Sequence, residues 1–120
     1  MADTFLLKAV DLTTNSATQI YKVPITDDTS VPPVESTTAL VKSILVSEDT
    51  GNADTITITV IRDNVSGDPE FSVFKDKEVT AKNTLELLTQ PLVLQEGDEV
   101  KATAGTANRL HVLLSVLEIT

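Results

Sequence analysis

The chain has 120 residues, 41% of them hydrophobic, and its 18 acidic against 9 basic side chains leave a net charge of −9 at neutral pH. That length supports one domain with one core, and the absence of cysteine excludes disulfide stapling, thiol catalysis and cysteine-based zinc sites. The acidic balance argues against nucleic-acid backbones and anionic lipid as partners, while an aromatic content of 3% without Trp requires a core of Leu, Val and Ile.

The N-terminal Met-Ala-Asp-Thr-Phe-Leu-Leu-Lys has neither the positive start nor the long apolar stretch of a signal peptide. No apolar run approaches the ~20 residues that a membrane helix needs. We expect a soluble chain that is not secreted through a cleaved signal.

Taken in order, Thr4 to Val10 reads as a first strand and Thr18 to Val23 as a second, closed by Pro24, which cannot donate to a ladder. Ile25 to Ser36 carries Pro32, Pro33 and an Asp27-Asp28 pair, so it reads as a long irregular loop. In Thr37 to Ser47 a helical stripe of Leu40, Val41, Ile44 and Leu45 competes with a strand. The β-branched Val41, Ile44 and Val46 favour the strand.

Asp54 to Asp63 alternates Ile56, Ile58 and Val60 with Thr55, Thr57 and Thr59, a period of two with one apolar face. After a turn at Asn64 to Pro69, Glu70 to Lys75 resumes alternation and is expected to anchor one end of the core with Phe71 and Phe74. Asp76-Lys77-Glu78 reads as a charged turn.

The last third contains three apolar runs, Thr84 to Gln90, Pro91 to Gly105 and Thr106 to Thr120, divided at Gln90-Pro91, Glu96-Gly97-Asp98 and Gly105 to Asn108. The final run is apolar in both phases: Leu110, Val112, Leu114 and Val116 in one, Leu113, Leu117 and Ile119 in the other. Such a strand belongs in the middle of a sheet, covered by a partner sheet or a neighbouring subunit. Short connections leave no room for crossover helices. The expected fold is all-β: residues 1–120 as a single antiparallel β-sandwich, jelly-roll or immunoglobulin-like, of about eight strands.

No residue pattern specifies catalysis. His111 is the single histidine, and with no cysteine it cannot build a common zinc site. A general base would need a nucleophile or carboxylate at a recognisable spacing, so His111 reads as a packing or interface residue. The acidic stretches Glu48 to Asp54 and Asp63 to Asp68 could be weighed for calcium, but neither has EF-hand spacing and both have ordinary turn composition. Neither a phosphate-binding glycine loop nor a nucleophile elbow is present. The expectation is no catalytic, cofactor or metal site. The surplus of Leu and Val in the last third, on Leu113 and Leu117 among others, points either to a two-layer core or to a surface that meets another subunit.

The order of segments resembles a group of small virion proteins of tailed bacteriophages. The resemblance lies in Phe5-Leu6-Leu7-Lys8, in Ile20-Tyr21-Lys22-Val23-Pro24, in Leu85 to Leu88 followed by Pro91 to Ala102 with its Gly97-Asp98, and in the closing Asn108 to Ile119. It implies a non-enzymatic β-sandwich assembled in the host cytoplasm and carried on the virion. The most direct role is that of a capsid decoration or cement protein binding the major capsid protein or another virion protein. A tail, collar or baseplate component is the alternative within that class. A carbohydrate- or receptor-binding module is the alternative outside it. Partners implied are the shell and a second copy of the chain, as a homo-oligomer with a trimer among the options, and neither nucleic acid nor membrane. The expected contact residues are Phe5 and Leu7 near the N-terminus, Asp27, Val31, Pro32, Pro33 and Val34 in the long loop, and His111, Leu113 and Leu117 on the last strand.

Overall fold

The computed structural model describes residues 3–25, 37–62 and 65–120. They form nine strands: β1 Asp3–Asp11, β2 Thr18–Lys22, β3 Thr38–Glu48, β4 Asp54–Arg62, β5 Glu70–Val79, β6 Thr84–Glu86, β7 Leu92–Leu94, β8 Asp98–Ala104 and β9 Leu110–Ile119. One sheet has the order β1-β9-β3, with β6 and β7 both pairing along the far side of β3; the other has the order β2-β8-β4-β5. Every pairing is antiparallel.

The pairings nest: β1 with β9, β2 with β8, β3 with β6 and β7, and β4 with β5. They describe one long antiparallel ribbon, folded over so that β9 also meets β3 and β8 also meets β4. This is a jelly roll, not an immunoglobulin-like arrangement. β6 and β7 share one place beside β3, so nine strands fill the eight positions that the sequence suggests. The interruption has two causes. Pro91 brings no N–H to a ladder, and at Leu87 the chain dips inward, burying that side chain and donating Leu87 N–H to Ile44 O at 2.9 Å.

The helical alternative over Thr37 to Ser47 is not realised, and that stretch is the eleven-residue β3. Two other expectations are corrected. Asp76-Lys77-Glu78 is not a turn but lies inside β5, where Asp76 takes a positive φ of 50° and the ladder to β4 slips twice. The turn comes later, around Ala81 and Lys82, with Asn83 N–H donating to Thr80 O. Nor does Phe71 anchor the core: it is 56% exposed, because β5 is an outer edge strand whose side chains mostly face solvent; Phe74 packs partly inward, and Val79 at the strand's end is buried in the core.

The core lies between the sheets. Ile56, Ile58 and Val60 of β4 and Val100, Ala102 and Ala104 of β8 meet Ala39, Val41, Ile44 and Val46 of β3 and Leu110, Val112, Leu114 and Val116 of β9. Each Leu, Ile or Val so enclosed contributes roughly 1.5–3 kcal/mol. As the composition requires, the layer is aliphatic. Its one large aromatic is Tyr21, which a bulge in β2 between Gln19 and Tyr21 lets enter beside Ile20.

Candidate functional site

A strand with one phase in the core turns the other phase outward. On the β1-β9-β3 sheet that outer phase is unusually apolar. The register aligns it in rows across the strands: Phe5, Leu117 and Leu40 stand side by side, with Val93 of β7 next to Leu40. The next rows hold Leu7 beside Ser115 and Ser43, then Ala9 beside Leu113 and Leu45. Phe5 is 73% exposed, Leu7 64% and Val93 60%, whereas Leu40, Leu45, Leu113 and Leu117 are half-buried among them. A depression of about 370 Å³ opens here between Phe5, Leu7, Ser115 and Lys42.

The polar end of this face is the row Asp11, His111 and Ser47. His111 Nε2 lies 3.3 Å from Asp11 Oδ1, and Nδ1 lies 3.8 Å from Asp49 Oδ2. The fold thus supplies His111 with carboxylate neighbours that sequence spacing did not reveal, one from β1 and one from the loop after β3. Both ring nitrogens face carboxylates at ion-pair distance, with Ser47 in the same row.

Phe5, Leu7, His111, Leu113 and Leu117, five of the residues singled out from the sequence, therefore share one face. Asp27, Val31, Pro32, Pro33 and Val34 lie outside the described residues. Val93 belongs to the apolar surplus of the last third that the sequence offers as a subunit-facing surface, whereas the sequence pattern does not single out Leu40 and Leu45 for this face. Leu40 and Leu45 are five positions apart and would oppose each other in a regular strand, but a bulge between Val41 and Ser43 turns both outward.

A second surface lies along the seam between the sheets, where a groove of about 370 Å³ runs past Phe71 and Val73 of β5, Val93 of β7, Arg62 and Gln95. The polar groups here are already engaged. Arg62 Nε donates to Asp98 Oδ1 at 2.9 Å, Arg62 Nη2 donates to Gln95 Oε1 at 3.1 Å, and Gln95 N–H donates to Asp98 Oδ2 at 2.9 Å.

Two of the acidic residues weighed for calcium, Glu48 and Asp54, are engaged by backbone donors. Glu48 is buried and accepts the N–H groups of Thr50, Gly51, Asn52 and Lys82 at 2.9–3.1 Å, together with the Thr50 hydroxyl. Burial opposes its ionisation, but these donors, the Thr50 hydroxyl first, outweigh it and hold the carboxyl down at about 2. Asp54 accepts from Thr55 N–H and Thr106 N–H. Among the described residues no group of three or more side chains is arranged to hold a metal. Asp63 and Asn64 lie outside the described residues.

No protein-family model matches the sequence. No curated protein matches it either. Solved structures share the fold at low identity. A chain from Bacillus endospore appendages, described as a novel family of disulfide-linked pili, superposes with a TM-score of 0.51 at 13% identity, covering 99% of this chain and 87% of that one. A chain of the T13 particle of infectious bursal disease virus gives a TM-score of 0.54 at 8% identity, covering 97% of this chain and 30% of the viral one. One from the Gx strain of that virus gives 0.53 at 7%, with 97% and 32% covered. This chain spans about a third of the length of the viral chains it matches. At such identities the likeness speaks to the fold alone: a jelly-roll sandwich also found in pili and in virus particles.

Proposed function

We propose that this protein is a non-enzymatic structural component of a virus particle, a decoration protein that docks on the capsid shell through the outer face of the β1-β9-β3 sheet. The observation that carries this reading is the exposed apolar row Phe5–Leu117–Leu40–Val93, laid across four strands on a face that nothing in the chain covers among the described residues. A surface of that kind gains stability when a partner removes it from water. The remaining surface is strongly acidic, which keeps decorated particles apart in solution. The jelly-roll likeness to virus-particle chains supports the same role. Linkage through disulfides, as described for the pili, is closed to a chain without cysteine.

The test is co-sedimentation of the purified chain with capsids from the same source, followed by electron microscopy. Ordered density on the shell with the β1-β9-β3 sheet against it is the expected result. Density confined to the tail or collar would move the same face to a tail or baseplate role. A chain that ignores particles but binds glycans would replace this reading with that of a carbohydrate-binding module.

A further inference from the structure

A sandwich of two open sheets has four edges, and edges invite pairing with another chain unless they are blunted. Three of them are blunted here. β5 carries Glu70, Lys75, Asp76, Lys77 and Glu78 and slips register twice against β4. β2 is five residues long and bulged. The β6 and β7 edge is broken into two pieces of three residues each.

The fourth edge, β1, is long and regular, and its charges are Asp3 and Asp11 at its two ends and Lys8 between them. It runs nine residues, pairs with β9 without a bulge from Asp3↔Ile119 to Asp11↔His111, and contains no proline. Its two most exposed large side chains are Phe5 and Leu7.

The phase of the ladder shows which backbone groups remain open. Leu12 N–H donates to Leu110 O at 3.0 Å, in step with the β1–β9 register. Backbone groups alternate in direction along a strand, so even-numbered residues of β1 bond to β9. Those of Phe5, Leu7 and Ala9 point away from β9, to an edge that no described strand pairs with.

We infer that β1 pairs antiparallel with β1 of a second copy about a two-fold axis at Leu6, joining two β1-β9-β3 sheets into one. Only registers that oppose odd residues to odd residues use the open N–H and C=O groups. Centring on Leu7 would set Asp3 against Asp11, a like-charge pair, and centring on Phe5 would set Asp3 against Leu7. Centring on Leu6 sets Phe5 against Leu7 and, by symmetry, Leu7 against Phe5, with Asp3 beside Ala9 and Thr4 beside Lys8. Both aromatic–aliphatic pairs fall on the outer face. They make it continuous between the two protomers, so the dimer doubles the surface proposed above for docking. The pairing does not depend on that role.

The chain lacks cysteine, so single cysteines can read the register directly. At the two-fold centre, Leu6 and its copy form a non-hydrogen-bonded pair with Cα atoms ~4.5 Å apart, within disulfide range. Phe5 and Leu7 each lie diagonal to their own copies, at ~7–8 Å, outside it. The full chain should show twice its monomer mass by light scattering. Under mild oxidation Leu6→Cys should cross-link at least about tenfold faster than Phe5→Cys or Leu7→Cys. A monomeric or trimeric mass would overturn the inference. So would preferential cross-linking at Phe5→Cys or Leu7→Cys, which would place the axis elsewhere. Loss of particle binding by a chain that still dimerises would leave the pairing intact and remove only the docking role.

Discussion

Tyr21 of β2 donates its hydroxyl to Glu118 Oε2 of β9 at 2.5 Å, a hydrogen bond that ties the two sheets together near the end of the sandwich. Lys8 of β1 sits over the Tyr21 ring at 5.9 Å, so three strands meet there. Burial, reinforced by the hydrogen bond and the negative charge of Glu118, pushes the Tyr21 hydroxyl well above its ordinary value of 10. The bond joins a neutral donor to a half-buried carboxylate, worth about 1–2 kcal/mol. Tyr21→Phe should lower unfolding stability by that amount at pH 7, as denaturant titration would measure.

The same bond has a pH signature. A group whose folded value is raised contributes fully below its unfolded value and loses that contribution as pH rises past it. Tyr21 is the only tyrosine and there is no tryptophan, so the phenolate absorbance band reports on it alone. In the native protein that band should stay silent at pH 10, where the denatured chain is half ionised, and appear only as the fold is lost. A native phenolate at pH 10 would refute the buried pairing.

Acid should act through Glu48. Its carboxyl falls from an ordinary 4.5 to about 2 because, against the burial that opposes ionisation, the Thr50 hydroxyl and the backbone amides of Lys82, Thr50 and Gly51 stabilise the charged form. A depressed value contributes stability above the unfolded value and loses it as pH falls through the folded one. Stability should therefore decline between pH 4.5 and 2 in the native chain, and the decline should be shallower in Glu48→Gln. At pH 7 the same variant should have a lower denaturant midpoint, because a neutral amide replaces an acceptor-only carboxylate facing donors.

Most of the strands could be read from the sequence because their alternation is local. Ile56, Ile58 and Val60 on β4 need no tertiary context to declare an inner face. The two apolar phases of β9 likewise announce a central strand, as its place between β1 and β3 bears out. What escaped was non-local. The bulge in β3 reverses phase, so Leu40 and Leu45 share an outer face that a strict period of two assigns to opposite sides. The pairing of His111 with Asp11 and Asp49 depends on which strands become neighbours. β5 misled because Asp76-Lys77-Glu78 has the composition of a turn, yet an edge strand tolerates charges that solvent can reach.

Gly105 closes the corner between β8 and β9. A Cβ there would lie 2.6 Å from Asp54 Oδ1 and 2.7 Å from Thr55 Oγ1, while Gly105 N–H donates to Thr55 O at 2.9 Å. The intruding methyl would push the Asp54 carboxylate off its hydrogen bonds to Thr55 N–H and Thr106 N–H. Gly105→Ala should cost about 1–3 kcal/mol. Gly67, where a Cβ would meet nothing within 4 Å, has no such contact to lose, although its φ of 86° also disfavours Ala. Pairing Asp54→Ala with Gly105→Ala in a double-mutant cycle would separate the Asp54 part of the clash from the Thr55 part: partial non-additivity is expected, because losing the carboxylate leaves only the Thr55 hydroxyl against the new methyl.

The docking face can be tested against the core by changing neighbouring residues on β9. Leu114 points inward and is fully buried, whereas Leu113 and Leu117 point outward and are half-buried. Leu114→Ala should destabilise by about 2–5 kcal/mol, since it removes buried carbons and leaves a cavity. Leu117→Glu should leave the fold standing, because its charge can reach solvent past Phe5 and Leu40. Against a partner it would bury a carboxylate in the middle of the apolar row, and particle affinity should fall at least about tenfold, equivalent to 1.4 kcal/mol. Leu113→Glu should act in the same direction. Binding isotherms on particles, run beside denaturant midpoints, distinguish the outcomes: an unchanged midpoint with lost binding marks the face as the docking surface, and unchanged binding in both variants would move the contact elsewhere on the molecule.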